Sequence, residues 1–197
     1  MSSSMVRQKA GASWVDRVQA FWFEELKASA WFEPNAEVDE IIRTRFLTIY
    51  RHVAADFDIV AATASADQSV ASAIVLDQFP RNMFRGTALA FATDHLALAV
   101  ARAAIDRNLD HDLDKNRRLF LYMPFEHSED TADQQRAVEL IGGLDDGELF
   151  RYAVAHRDII ARYGRFPHRN VILGRTSTPE EKAFLDQSGD TFYLRRK

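Results

Sequence analysis

The sequence predicts an all-α protein of about eight helices, arranged as a bundle or as stacked antiparallel helix pairs. Three observations carry that expectation. Apolar residues recur at three- and four-residue steps along most of the chain. Prolines, glycines and N-cap residues fall between those patterns, leaving short connections. Period-two alternation and Asn-Gly hairpin turns are missing, and Val171-Ile172-Leu173 and Phe192-Tyr193-Leu194 are too short and isolated to build a sheet.

The chain has 197 residues, 47% of them hydrophobic and 27% charged, which suits one well-cored domain. Residues 1–12 are small and polar and read as a flexible N-terminus, with a single helical domain over 13–197. A net charge of −4 argues against nucleic-acid or anionic-membrane partners. No apolar run reaches the roughly 20 uninterrupted residues a membrane span needs, since residues 88–104 are broken by Asp94, His95 and Arg102. The lack of cysteine removes disulfides, thiolate metal sites and a cysteine nucleophile, and fits a cytoplasmic location. Twenty of the 25 basic residues are arginine, the better partner for carboxylates and phosphates.

In order along the chain, Trp14, Val15, Val18, Phe21, Trp22 and Leu26 mark a first amphipathic helix, broken at Trp31-Phe32-Glu33-Pro34-Asn35. A second starts near Val38, with Ile41, Ile42, Phe46, Ile49, Val53 and Phe57 inward. Residues 61–67 read as a loop or helical turn, after which Val70, Ile74 and Leu76 lead to Phe79-Pro80. Thr87 is expected to cap a long helix to about Asp106. A short helix from Arg117 is expected to end at Met123-Pro124, and the next, from Thr131, stops at Gly142-Gly143. Another runs from Asp145 to Tyr163, with Gly164 as its C-terminal cap. Thr178-Pro179-Glu180-Glu181 forms a capping box that opens the last helix.

The chemistry-bearing stretch is Phe79-Pro80-Arg81-Asn82, echoed by Phe166-Pro167-His168-Arg169-Asn170. Proline directly after a helical pattern stops a helix, so both copies are expected to be rigid corners presenting Arg, Asn and His. The two corners are expected to meet. With Asp77, Gln78, Arg85, His156 and Arg165 they form the candidate ligand-binding set: Asp77, Gln78, Arg81, Asn82, Arg85, His156, Arg165, His168, Arg169 and Asn170. Forked Arg donors with Asn and His suit a carboxylate, a phosphate or an acidic peptide end. Glu126, His127 and His168 are the candidate acid–base groups if the chain is an enzyme acting on a small polar substrate. The opposing interpretation is that Arg81, Arg85, Arg165 and Arg169 pair with Asp77, Glu126 and Glu129, so that the cluster only locks helices together in an interaction scaffold. No spacing matches a metal motif, and residues 128–130 read as an N-cap with acidic first-turn residues. No cofactor is expected: Gly-x-Gly-x-x-Gly, Walker and Gly-x-Ser-x-Gly sequences are absent. His156-Arg157-Asp158 lies inside a helical pattern, unlike the kinase catalytic loop.

Four stretches carry a resemblance: Asp39-Glu40-Ile41-Ile42-Arg43-Thr44-Arg45-Phe46, and residues 76–85, 122–130 and 156–178. In these the chain resembles an uncharacterised bacterial family, the domain of unknown function numbered 924. The resemblance implies a fold similar to tetratricopeptide-repeat helix stacks. It implies no activity, and the 34-residue repeat of ordinary tetratricopeptide proteins is not legible.

Overall fold

In the computed structural model, which describes residues 12–188, the chain is helical throughout, with no strand among the described residues. Ser13 and Asp16 close a capping box that opens α1 (Trp14–Gln19), which continues as a π turn (Ala20–Glu25). Asn35 caps α2 (Ala36–Ala55), accepting from the N–H groups of Glu37 and Val38. Short α3 (Ile59–Ala62) leads to α4 (Ala66–Ala73), a second π turn (Ile74–Gln78) and α5 (Phe79–Met83), which run as one unbroken rod. After a 3-10 turn (Ala88–Phe91) come α6 (Asp94–Asp106), α7 (Lys115–Glu126), α8 (Thr131–Gly142) and α9 (Gly147–Tyr163). A 3-10 turn (Pro167–Arg169) and α10 (Pro179–Ser188) complete the described chain.

The rod of α4 and α5 is central: every residue from Ser69 to Pro80 is buried. On one side it meets α1, its π turn and α2 in an aromatic core. Phe79 packs against Phe46 at 4.8 Å between ring centres, the rings tilted by 34°, and meets Trp22 edge-on at 5.8 Å, while Trp22 meets Phe120 of α7 at 5.3 Å. On the other sides it contacts α6 and α7. α7, α8 and α9 follow one another through short loops and pack successively, so they run antiparallel. Gly164 ends α9 at φ +67°, the left-handed cap its position predicts, and Thr178 and Glu181 form the expected reciprocal cap of α10.

Three helix boundaries differ from the sequence reading. Phe79-Pro80 does not stop a helix. The π turn hands the chain from α4 to α5 with Pro80 inside the rod, and the carbonyl that Pro80 leaves without an N–H partner is satisfied from outside it. Pro124 likewise sits inside α7 rather than ending it. Nor is Ala88–Asp106 one helix capped by Thr87. It is a 3-10 turn, a break at Ala92 and Thr93, and then α6, which opens on Asp94.

Candidate functional site

The polar face of the central rod begins at Pro80. A regular helix would use an N–H at this position to satisfy the Leu76 carbonyl. Instead the Thr93 hydroxyl donates to that carbonyl at 2.6 Å. The Asp77 carbonyl accepts from Arg81 Nη1 at 2.7 Å. The π turn thereby fixes Asp77, whose side chain is 1% exposed. Its carboxylate faces Arg81 Nη1 at 3.0 Å and His127 Nδ1 at 2.8 Å, and accepts from Gln78 Nε2 at 2.5 Å. Burial alone would push the Asp77 carboxyl up, but Arg81 and the hydrogen bonds outweigh it and hold the pKa at about 2. His127, the C-cap of α7, is pushed the other way from a cationic histidine: burial and then the Arg81 charge lower its pKa despite Asp77. A neutral His127 therefore donates Nδ1–H to an ionised Asp77. Its Nε2 makes no hydrogen bond among the described residues, and the side chain remains 13% exposed.

The opposite wall comes from α9 and the second corner. His156 Nδ1 lies 2.9 Å from Glu126 Oε1 and 2.9 Å from the Tyr152 carbonyl. Burial opposes charge on His156, yet Glu126 raises its pKa, and the same ion pair lowers that of Glu126. Past Gly164, the Phe166 N–H donates to Glu129 Oε1 at 2.8 Å, and Arg175 grips Glu129 with both ends of its fork at 2.7 and 3.0 Å. Arg169 is held with its guanidinium between the faces of Phe91 and Phe166, 4.6 Å from each ring centre. It donates Nη2–H to the His127 carbonyl at 3.0 Å. Burial and then Arg81 lower its pKa to about 10.

The two corners meet at Asp94. Arg81 takes this carboxylate with both nitrogens, at 2.7 and 2.9 Å, and Arg169 Nη1 approaches it at 3.4 Å. The structure thus brings Asp77, Gln78, Arg81, Glu126, His127, His156 and Arg169 into one network of direct contacts and shared partners. His168 joins it through Phe166, at 5.6 Å between ring centres. Burial and then the Arg169 charge push His168 down to about 3, so it is neutral. Other candidates lie apart. Asn82 and Arg85 both bind Asp39 of α2, at 2.8 Å each. Arg165 grips Glu181 at 2.6 and 2.9 Å and ties the second corner to α10. Asn170 does both: it donates to Glu181 and Ser177, at 3.1 Å each, and its Oδ1 accepts from Arg175 at 3.0 Å, which joins it to the site. Asp94, Phe91 and Arg175 were not recognised in the sequence as members of the site. The one signal was Asp94 itself, a charge interrupting an apolar run.

Neither of two surface cavities touches this centre. One, of about 510 Å³, is lined by Glu37, Glu40, Ile41, Thr44 and Arg45. The other, of about 130 Å³, lies around Trp14, His52, Phe57 and Gln68. Among the described residues no three His, Asp or Glu side chains are grouped to hold a metal ion.

The histidines set a pH dependence whose sign is fixed. His127 and His168 are neutral in the fold, whereas their unfolded forms gain protons near pH 6.5. Their contribution is complete above pH 6.5 and is lost as pH falls towards the folded values, about 3 for His168. His156 has the opposite sign, its contribution being lost as pH rises through its raised pKa. The melting temperature is therefore expected to fall between pH 7 and pH 5, and His168→Gln should flatten that limb. An unchanged slope in the variant would show that His168 is not held neutral.

Comparison with known proteins places this geometry in a family. None of the curated proteins matches the chain significantly. A solved structure, that of the protein of unknown function ATU0120 from Agrobacterium tumefaciens, is 42% identical, covers 88% of this chain and 97% of its own, and superposes with a TM-score of 0.82. The family described as bacterial protein of unknown function (DUF924) matches residues 18–189, a span that takes in both corners and the whole polar network, and to that family the chain belongs.

Proposed function

We propose that the chain binds a small carboxylate or phosphate compound between Arg81 and Arg169, and that His127, oriented by Asp77, exchanges a proton with it. The observation that carries this is the Asp77–His127 pair beside two guanidiniums. A carboxylate on Nδ1 fixes the imidazole tautomer and leaves Nε2 as the basic atom. The lowered pKa of His127 keeps that atom unprotonated at neutral pH, as a general base requires. Arg169, pinned between two rings, offers a preorganised donor to an anion or to negative charge developing on it. The end of an acidic peptide belongs to the same ligand class.

A second interpretation rests on a specific observation. Arg81, Arg85, Arg165 and Arg169 each have an internal carboxylate partner, which suits a purely structural clamp. Titration separates the two. Inorganic phosphate or succinate is expected to raise the His127 pKa, followed by imidazole NMR, and to raise the melting temperature. Arg169→Gln, with circular dichroism as the check on folding, should weaken binding by about 10–150-fold, one charged hydrogen-bonded contact contributing about 1.5–3 kcal/mol. If no anion moves either signal in the wild type or in Asp94→Asn, the clamp is the function of the cluster.

A further inference from the structure

Asp94 is the first residue of α6, a helix of 13 residues whose N-cap, Thr93, makes no side-chain cap. The Thr93 hydroxyl is used instead on the Leu76 carbonyl. The positive end of the α6 dipole thus lies beside two guanidiniums, an environment that favours negative charge. One carboxylate fills it, and unevenly. Arg81 holds Asp94 with its full fork, but Arg169 Nη1 stands off at 3.4 Å. Arg169 is only 7% exposed, and its Nε–H is buried without an acceptor among the described residues. Wedged between Phe91 and Phe166, its guanidinium cannot swing to improve either contact. Asp94, by contrast, is 22% exposed on a short side chain that a single rotation turns to solvent.

We infer that Asp94 is an internal stand-in for the ligand: an incoming carboxylate or phosphate takes its place between Arg81 and Arg169 at the head of α6, and Asp94 turns outward. This rests on the anion-site reading above and adds how the site is gated. A free anion can settle closer to Arg169 Nη1 than a carboxylate tethered to α6. The tether also gives Asp94 a high effective concentration, so external anions bind the wild type weakly. With Asp94 gone, Arg81 and Arg169 face each other with less neutralising charge between them, and each would draw an anion more strongly.

The test is calorimetric or NMR titration of the full chain with inorganic phosphate and with succinate, in the wild type, Asp94→Asn and Asp94→Ser. The asparagine keeps the shape and one acceptor for Arg81, so the fold is retained even if the serine variant loosens. Both variants are expected to bind at least about tenfold more tightly than wild type. Tighter phosphate than succinate would identify a phosphoryl ligand, and the reverse a carboxylate. Equal affinity in wild type and Asp94→Asn, or weaker binding in a natively folded variant, overturns the stand-in role while leaving the anion site intact. No binding to any of the three proteins overturns both.

Discussion

Phe79→Ala is expected to be among the most damaging single changes in this chain, costing about 3–5 kcal/mol as buried aromatic deletions do. That lowers the melting temperature by roughly 10 °C for a domain of this size. The ring is fully buried and touches Phe46, Trp22 and Phe21, so its removal opens a void where α1, α2 and the central rod converge. None of those neighbours is flexible enough to fill the gap. Phe166→Ala should cost a comparable amount at the second corner. Its ring is also fully buried, packed with Ile159 and Ile160, and it forms one face of the Arg169 sandwich. Urea unfolding of both variants checks this. Midpoints equal to wild type for both would mean that the corners are not wedged into the core.

Asp77→Ala is expected to cost about 1–3 kcal/mol for a different reason: it leaves buried hydrogen-bond donors without their acceptor. Arg81 keeps Asp94, but His127 loses the carboxylate on its Nδ1 and Gln78 its acceptor. The sign of the pH dependence follows from the depressed pKa. The Asp77 contribution is fully present above the unfolded value of 3.8 and is lost as pH falls towards about 2. The stability gap between wild type and variant should therefore be widest near neutrality and close in strong acid. Denaturant unfolding at pH 7 and pH 3 reads it directly. A variant as stable as wild type at pH 7 would rule out the buried pairing.

The helices were legible because their apolar positions recur at helical spacing, and several ends were legible because Gly164, Thr178 and Glu181 act through local geometry. The proline positions were not. Whether Pro80 ends a helix depends on a carbonyl four residues back, and the hydroxyl that satisfies it comes from Thr93, across the chain. The corners' shared chemistry suggested that they meet, and Arg81 and Arg169 do converge. The carboxylate between them was invisible because Asp94 acquires its meaning only where two distant segments cross. Asn82, Arg85 and Arg165 have the same residue types as the central groups, yet they serve Asp39 and Glu181 instead. Composition alone does not separate the two roles.

The π turn in the central rod can also be read as arithmetic. The buried residues Val70, Ile74, Phe79 and Met83 are spaced four, five and four apart, and the interval of five is bridged by the Phe79 N–H on the Ile74 carbonyl. In an uninterrupted α-helix, at 100° per residue, Phe79 would lie about 140° around the axis from Ile74. One added residue restores the phase, so a single rod keeps its apolar stripe in the core while Asp77 and Arg81 face the polar centre. The core and the centre therefore share one register. A change that lets the extra residue relax would rotate Phe79 and Asp77 together, making substitutions at the two positions non-additive although one sits among rings and the other among charges.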